Sequence, residues 1–134
     1  MIVVDTSVWI DLLKGTQTPQ TRFLKRSLSF EEEDFALTDV VYAEILQGLD
    51  GEKEVAKIER YLAEFDILRL RELADFRAAA ALYRATRQQG FTIRRTSDCL
   101  IAAVCVREGV PLLHSDKDFD RLASATLLSV VDVE

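Results

Sequence analysis

Short β-rich apolar runs alternate with stretches of helical periodicity along the chain. Ile2-Val3-Val4 stops at Asp5-Thr6-Ser7, the pattern of a buried strand running into a helix N-cap. The helix that follows carries Val8, Trp9, Leu12 and Leu13 and should end at Gly15. Pro19 suits the first turn of a second helix, with Phe23, Leu24 and Leu28 facing inward. After the acidic run from Glu31 to Asp34, read as a solvated loop, comes a short strand, Phe35 to Leu37. Thr38 then caps a helix from about Asp39 to Leu49. Another helix begins at the Gly51-Glu52 junction, with Val55, Ile58 and Leu62 at helical spacing, and Ile67 to Leu70 alternates as a strand. Leu73, Phe76, Ala80 and Tyr83 define a long amphipathic helix that stops at Gly90. Thr96 or Ser97 is the expected cap of a helix running to Glu108 and ending at Gly109. Val110 to His114 reads as a strand, and Leu127 to Val131 as the last one. Strands separated by one or two helices imply an α/β fold, a parallel sheet of about five short strands flanked by helices on both faces. No repeat, linker or low-complexity segment interrupts the pattern, so residues 1–134 read as one domain.

Composition narrows the possibilities without choosing among them. At 49% apolar residues the chain has ample material for a core, and no apolar run approaches the ~18–20 residues that span a bilayer. The N-terminus reaches Asp5 with no secretory signal before it, so a soluble, cytoplasmic protein is expected. Cys99 and Cys105, if on one helix, stand about 9 Å apart, too far for a disulfide. Neither has a His or Cys at ligand spacing, and both are expected to be small buried apolar residues. The net charge of −6, from 17 basic and 23 acidic side chains, argues against a simple basic nucleic-acid binder. An acidic enzyme acting on RNA stays open if divalent cations neutralise its pocket and local arginines hold phosphates.

Four acids are attached to core-facing structure. Asp5 closes the first strand and Asp116 lies just past the strand ending at His114; in open α/β folds ligands bind beyond the carboxyl ends of the strands. Each also has a simpler reading, Asp5 as a helix cap and Asp116 as a turn residue. Glu44 shares a helix face with Val40, Val41 and Gly48, where a carboxylate loses hydration unless a cation or proton compensates, or unless it reaches water at the edge. Asp98 is followed on its face by Ile101, Ala102 and Cys105, although the helix dipole also favours an acid in a first turn. If the four converge, positive charge must join them, because two carboxylates about 4 Å apart repel by about 4 kcal/mol at an effective dielectric of about 20. Hard divalent ions such as Mg²⁺ or Mn²⁺ prefer such oxygen ligands, and can polarise a phosphodiester and activate water. An aspartyl-nucleophile phosphatase fits poorly, because Ser7 stands where its second aspartate would be.

Four segments carry a family resemblance: Val3-Val4-Asp5-Thr6-Ser7-Val8-Trp9-Ile10-Asp11, Val41-Tyr42-Ala43-Glu44-Ile45-Leu46-Gln47-Gly48, Thr96-Ser97-Asp98-Cys99-Leu100-Ile101-Ala102-Ala103 and Leu112-Leu113-His114-Ser115-Asp116-Lys117-Asp118-Phe119. In this order they resemble PIN domains, and more narrowly the VapC-type toxins of toxin–antitoxin pairs. The resemblance implies an acidic pocket at the carboxyl ends of a parallel sheet, with metal binding and catalysis assigned to Asp5, Glu44, Asp98 and Asp116. It implies help from Asp118 through water or a second ion, and from Thr6 or Ser7 in orienting a water. The implied reaction is Mg²⁺- or Mn²⁺-dependent endonucleolytic hydrolysis of RNA. The implied partners are a VapB-like antitoxin and a second copy of the chain. A non-catalytic PIN-fold RNA-binding scaffold, and an RNA-maturation nuclease without an antitoxin, stand as alternatives.

Where the family pattern has a hydroxyl residue at the end of the fourth strand, this chain has His114, for which the neighbouring Ser115 can compensate. His114 otherwise reads as a satisfied strand-end residue, or as a base or ligand. Arg94 and Arg95 precede Asp98 closely enough to hold an RNA phosphate, or they form a solvated loop. Arg77, Arg84 and Arg87 read as a wet helix face. Trp9, Leu13, Tyr42 and Leu46 either form a groove for an amphipathic antitoxin helix or belong to the core.

Overall fold

The sheet is built on Ile2, Val3 and Val4, which form β1 (Ile2–Val4) and are buried at every position. A computed structural model describes residues 1–133; Glu134, the last residue of the expected domain, lies outside them. After β1 come α1 (Thr6–Lys14), α2 (Pro19–Ser29), β2 (Phe35–Thr38), α3 (Asp39–Gln47), α4 (Glu52–Leu62) and β3 (Asp66–Leu68). The chain continues through α5 (Leu73–Gln88), α6 (Thr96–Glu108), β4 (Leu112–Leu113) and α7 (Lys117–Ala125). Local chemistry sets several of these ends. Thr38 accepts the Val41 N–H and caps α3, as expected, while Gly15 and Gly109 close α1 and α6 in the left-handed conformation that costs glycine least.

The strand order is β3-β2-β1-β4, and every pairing is parallel. From β1 the chain steps one way to β2 and β3, then returns to place β4 on the other side of β1. Crossovers between parallel strands are right-handed as a rule, which assigns α1 to α4 to one face of the sheet and α5 and α6 to the other. The expected two-faced α/β architecture is therefore present, and its topological switch point lies between β1 and β4.

Three expectations need correction. The sheet has four strands among the described residues, because the segment from Leu127 to Val131 makes only one parallel bridge, Val130 to Leu112. Its apolar run divides between water and core: Leu127 is 88% exposed while Leu128 is buried. The strand expected from Val110 shrinks to Leu112–Leu113, since Pro111 has no N–H to give a ladder. Third, the expected apolar face of α5 is largely in water, with Leu73 78% and Phe76 47% exposed. That helix buries Asp75, Ala79 and Thr86 instead. The Asp75 carboxylate takes the Arg107 guanidinium and the Arg71 N–H, so a charge pair fixes how α5 turns against α6.

Trp9 belongs wholly to the core rather than to a surface groove. Its ring is fully buried, packs edge-on against Phe65 at 5.0 Å between centroids, and donates its indole N–H to the Val4 carbonyl at 2.9 Å. That bond satisfies a backbone group at the end of β1, next to Asp5. Trp9→Phe should keep most of the packing yet leave the Val4 carbonyl unpaired, lowering unfolding free energy by about 1–3 kcal/mol in urea titrations.

Candidate active site

The carboxyl ends of β1 and β4 meet where the Asp5 N–H donates to the Leu113 carbonyl at 2.9 Å. Asp5 is the N-cap of α1, and its Oδ2 accepts the Ser7 N–H (3.1 Å) and the Ser7 hydroxyl (2.6 Å). The Ser115 N–H in turn donates to Ser7 Oγ at 3.2 Å, tying the two loops of the switch point together. Ser115 thus acts here through its backbone. Both readings of Asp5 hold together: it caps a helix and it faces the switch point.

Glu44 comes from α3, one strand away. Its Oε1 accepts the Thr6 hydroxyl at 2.6 Å and its Oε2 the Ser97 hydroxyl at 3.3 Å, so residues from α1 and α6 converge on one carboxylate. Ser97 is a participant that spacing did not reveal, because its partner is 53 residues away in sequence. It is not the cap of α6 either, and nor is Thr96: the N-cap is Arg95, with no side-chain bond. The Ser97 hydroxyl turns to Glu44 instead.

Asp98, in the first turn of α6, is 3% exposed. Its Oδ2 is buried and has no hydrogen-bond partner, while the Arg95 Nε approaches it at 3.6 Å. Burial pushes its carboxyl up to about 7; Arg95 works against that rise, and Asp5, Asp116 and Glu44 add to it. Burial also raises the Asp5 carboxyl, against the pull of the Ser7 hydrogen bonds.

Asp116 caps α7 by accepting the Asp118 N–H at 3.0 Å. It also receives Arg94 Nη2 at 3.1 Å and Arg95 Nη2 at 2.8 Å. The His114 Nδ1 accepts the Asp116 N–H (3.1 Å), and its Nε2 lies 3.2 Å from Asp120 Oδ1, so both ring nitrogens are engaged. Asp118 is completely buried, accepting the Arg94 N–H and Nε at 3.1 Å each and Arg121 Nη1 at 2.9 Å. Burial alone would raise its carboxyl, but the bonds from Arg94 and Arg121 prevail and hold it below the usual range.

Among the described residues no three acidic, histidine or cysteine side chains already form a metal cage. Arg95 instead lies across Asp98 and Asp116 as their counter-ion. The donor set nonetheless suits a hard divalent cation, being carboxylate oxygen throughout with one buried oxygen left unpartnered. Cys99 and Cys105 take no part: both are buried, and burial pushes their thiols up to about 11 and about 12.

Asp98 has a consequence for stability. A carboxyl that ionises near 7 when folded and near 3.8 when unfolded keeps its proton better in the native state. Between those values the native protein binds more protons, so stability falls as pH rises from about 4 to about 7. Asp98→Asn should remove that slope and raise the metal-free melting temperature at neutral pH by roughly 3–6 °C, measured in EDTA.

A family model described as "PIN domain" matches residues 2–125. Over 128 residues, 96% of each chain, the sequence is 38% identical to the VapC ribonuclease Mb1587 of Mycobacterium bovis and to the ribonuclease VapC11 of Mycobacterium tuberculosis. Its fold matches a chain of VapBC2 from Rickettsia felis, solved bound to a DNA fragment from its promoter, with a TM-score of 0.76 and 18% identity over all of both chains. A four-stranded parallel sheet with acids gathered at its switch point is thus joined to a match along almost the whole sequence, and this chain belongs to the VapC family of PIN domains.

Proposed function

We propose that this protein is an Mg²⁺- or Mn²⁺-dependent endoribonuclease, the toxin of a type II toxin–antitoxin pair. Asp5, Glu44, Asp98 and Asp116 are its metal-binding and catalytic carboxylates. The observation that carries the reading is the Asp98 carboxylate, which has one buried oxygen lacking any hydrogen bond and is raised first by burial and then by three neighbouring acids. A protein gains nothing in stability from such an oxygen, and a divalent cation is the partner it lacks. A cation there supplies Lewis acidity toward an RNA phosphodiester and its attacking water. Ser7 and Thr6 hold Asp5 and Glu44 in fixed rotamers, so both carboxylates are oriented beforehand. A cation held at Asp116 would take the place of Arg94 and Arg95 there and leave N–H groups of both for phosphate. Asp118, with its oxygens engaged by arginines, supports the site by holding Arg94 rather than by reaching the cation directly.

The partners of the proposed toxin are an antitoxin and a second protomer. A cleft of about 500 Å³ between α1, α2 and α4, lined by Leu12, Leu13, Leu28, Leu49, Ile58 and Tyr61, offers apolar surface to an antitoxin helix. Leu13 is the one member of the expected groove that lines it. The exposed Leu73 and Phe76 offer apolar surface for a homodimer. Among the described residues no helix is long and apolar enough to cross a membrane. The scaffold alternative draws on one feature, the arginines that already neutralise Asp116.

Cleavage of cellular RNA with Mg²⁺ or Mn²⁺ decides between the two. The wild-type chain should cut, EDTA should stop it, and Asp98→Asn should lower the rate by roughly 100-fold or more, the scale of losing one transition-state electrostatic contact. Equal cutting by Asp98→Asn, or calorimetry showing no Mn²⁺ binding, would overturn the nuclease reading.

A further inference from the structure

Beside Asp116 lies a second cleft, of about 490 Å³, lined by Arg94, Ser115, Asp116, Lys117 and Arg121. In a chain of net charge −6, three cations around one opening are a local reversal of sign. Two of them are held in place from below. The fully buried Asp118 carboxylate accepts Arg94 Nε through Oδ2 (3.1 Å) and Arg121 Nη1 through Oδ1 (2.9 Å), joining the loop before α6 to α7. Both guanidinium groups keep outward faces, the side chains being 66% and 40% exposed. Arg121 is braced further by lying 5.3 Å above the centroid of the Phe91 ring. Lys117 is exposed and has no ion pair among the described residues.

We infer that Arg94, Lys117 and Arg121 form a phosphate-binding subsite that holds the RNA backbone on one flank of the scissile bond. The inference rests on the nuclease reading and extends it. A carboxylate buried beneath two arginines removes much of the side-chain entropy that phosphate binding would otherwise cost, and the arginine forks present several N–H groups outward. Asp118 is then a positioning residue for substrate, acting through the two arginines. Contacts to phosphate carry no sequence information, so the subsite grips any single strand alike.

The test uses the full chain carrying Asp98→Asn, so that RNA is bound but not cut. Fluorescence anisotropy in Mg²⁺ buffer with a KCl titration follows 12-nucleotide oligouridine and oligoadenosine. Lys117→Gln should weaken binding to both by about three- to five-fold, and should lower the slope of log affinity against log salt by about 0.7. Arg121→Gln should do the same, but it unpairs the buried Asp118 and can lower the melting temperature. Lys117 touches no carboxylate and therefore carries the test. Lys53→Gln, at another exposed lysine, on α4 and not lining the cleft, should change neither quantity. Unaltered affinity and slope in the Lys117 variant, with wild-type cleavage intact, would overturn the subsite and leave the nuclease reading standing. Failure of Asp98→Asn to bind either oligonucleotide would likewise overturn the subsite, whereas wild-type cleavage decides the nuclease reading.

Discussion

The arrangement of the molecule turns on carboxylates held against an apolar core at one end of a parallel sheet. Asp5 and Asp98 are nearly without exposed surface, and Asp118 is wholly buried. Each must be compensated where it stands, since an unpaired buried charge costs several kcal/mol. The chain answers in three ways: hydroxyl and amide donors at Asp5 and Glu44, arginines at Asp116 and Asp118, and a raised proton affinity at Asp98. Among the described residues only the last leaves a buried side-chain oxygen without a hydrogen bond.

This contrast separates acids that belong to the architecture from those available for chemistry. Asp118 has charge-assisted bonds on both oxygens, and these hold its carboxyl below the usual range. Asp75, paired with Arg107 on the far side of α6, is of the same kind. Asp98 is less well served: its nearest cation, Arg95, stays 3.6 Å away and is shared with Asp116. Proximity to the carboxyl ends of the strands does not by itself make a reactive site; incomplete satisfaction of a buried group marks the candidate.

The switch point explains why residues from four separate segments meet. β1 has neighbours reached in opposite directions, so the loops leaving β1 and β4 diverge to opposite faces and leave a crevice between them. Hydrogen bonds between those loops, from Asp5 to Leu113 and from Ser115 to Ser7, keep the crevice at fixed width. Glu44 and Asp98 enter it from α3 and α6, whose positions follow from the crossovers.

Much of this was legible in the residues alone, for reasons that stay local. The β1 run, its abrupt end at Asp5, the Thr38 cap and the glycines closing α1 and α6 each follow from chemistry within a few positions. Glu44 and Asp98 were legible because a carboxylate among apolar helix neighbours is conspicuous without knowing what it faces, whereas Asp5 and Asp116 joined them as a set through the family resemblance. What lay beyond reach depended on partners far along the chain. The rotation of α5 is decided by Arg107 meeting Asp75, and the placement of Trp9 by the Val4 carbonyl and Phe65. The pairing of Ser97 with Glu44, and of Arg94 and Arg121 with one buried aspartate, likewise joins separate segments. The sequence by itself determined most of the strand and helix segments and set Asp5, Glu44 and Asp98 against core-facing structure, because periodicity and caps act over a turn or two. Only the tertiary structure decided which charge answers which, because that is a matter of distance across the sheet and not of spacing along the chain.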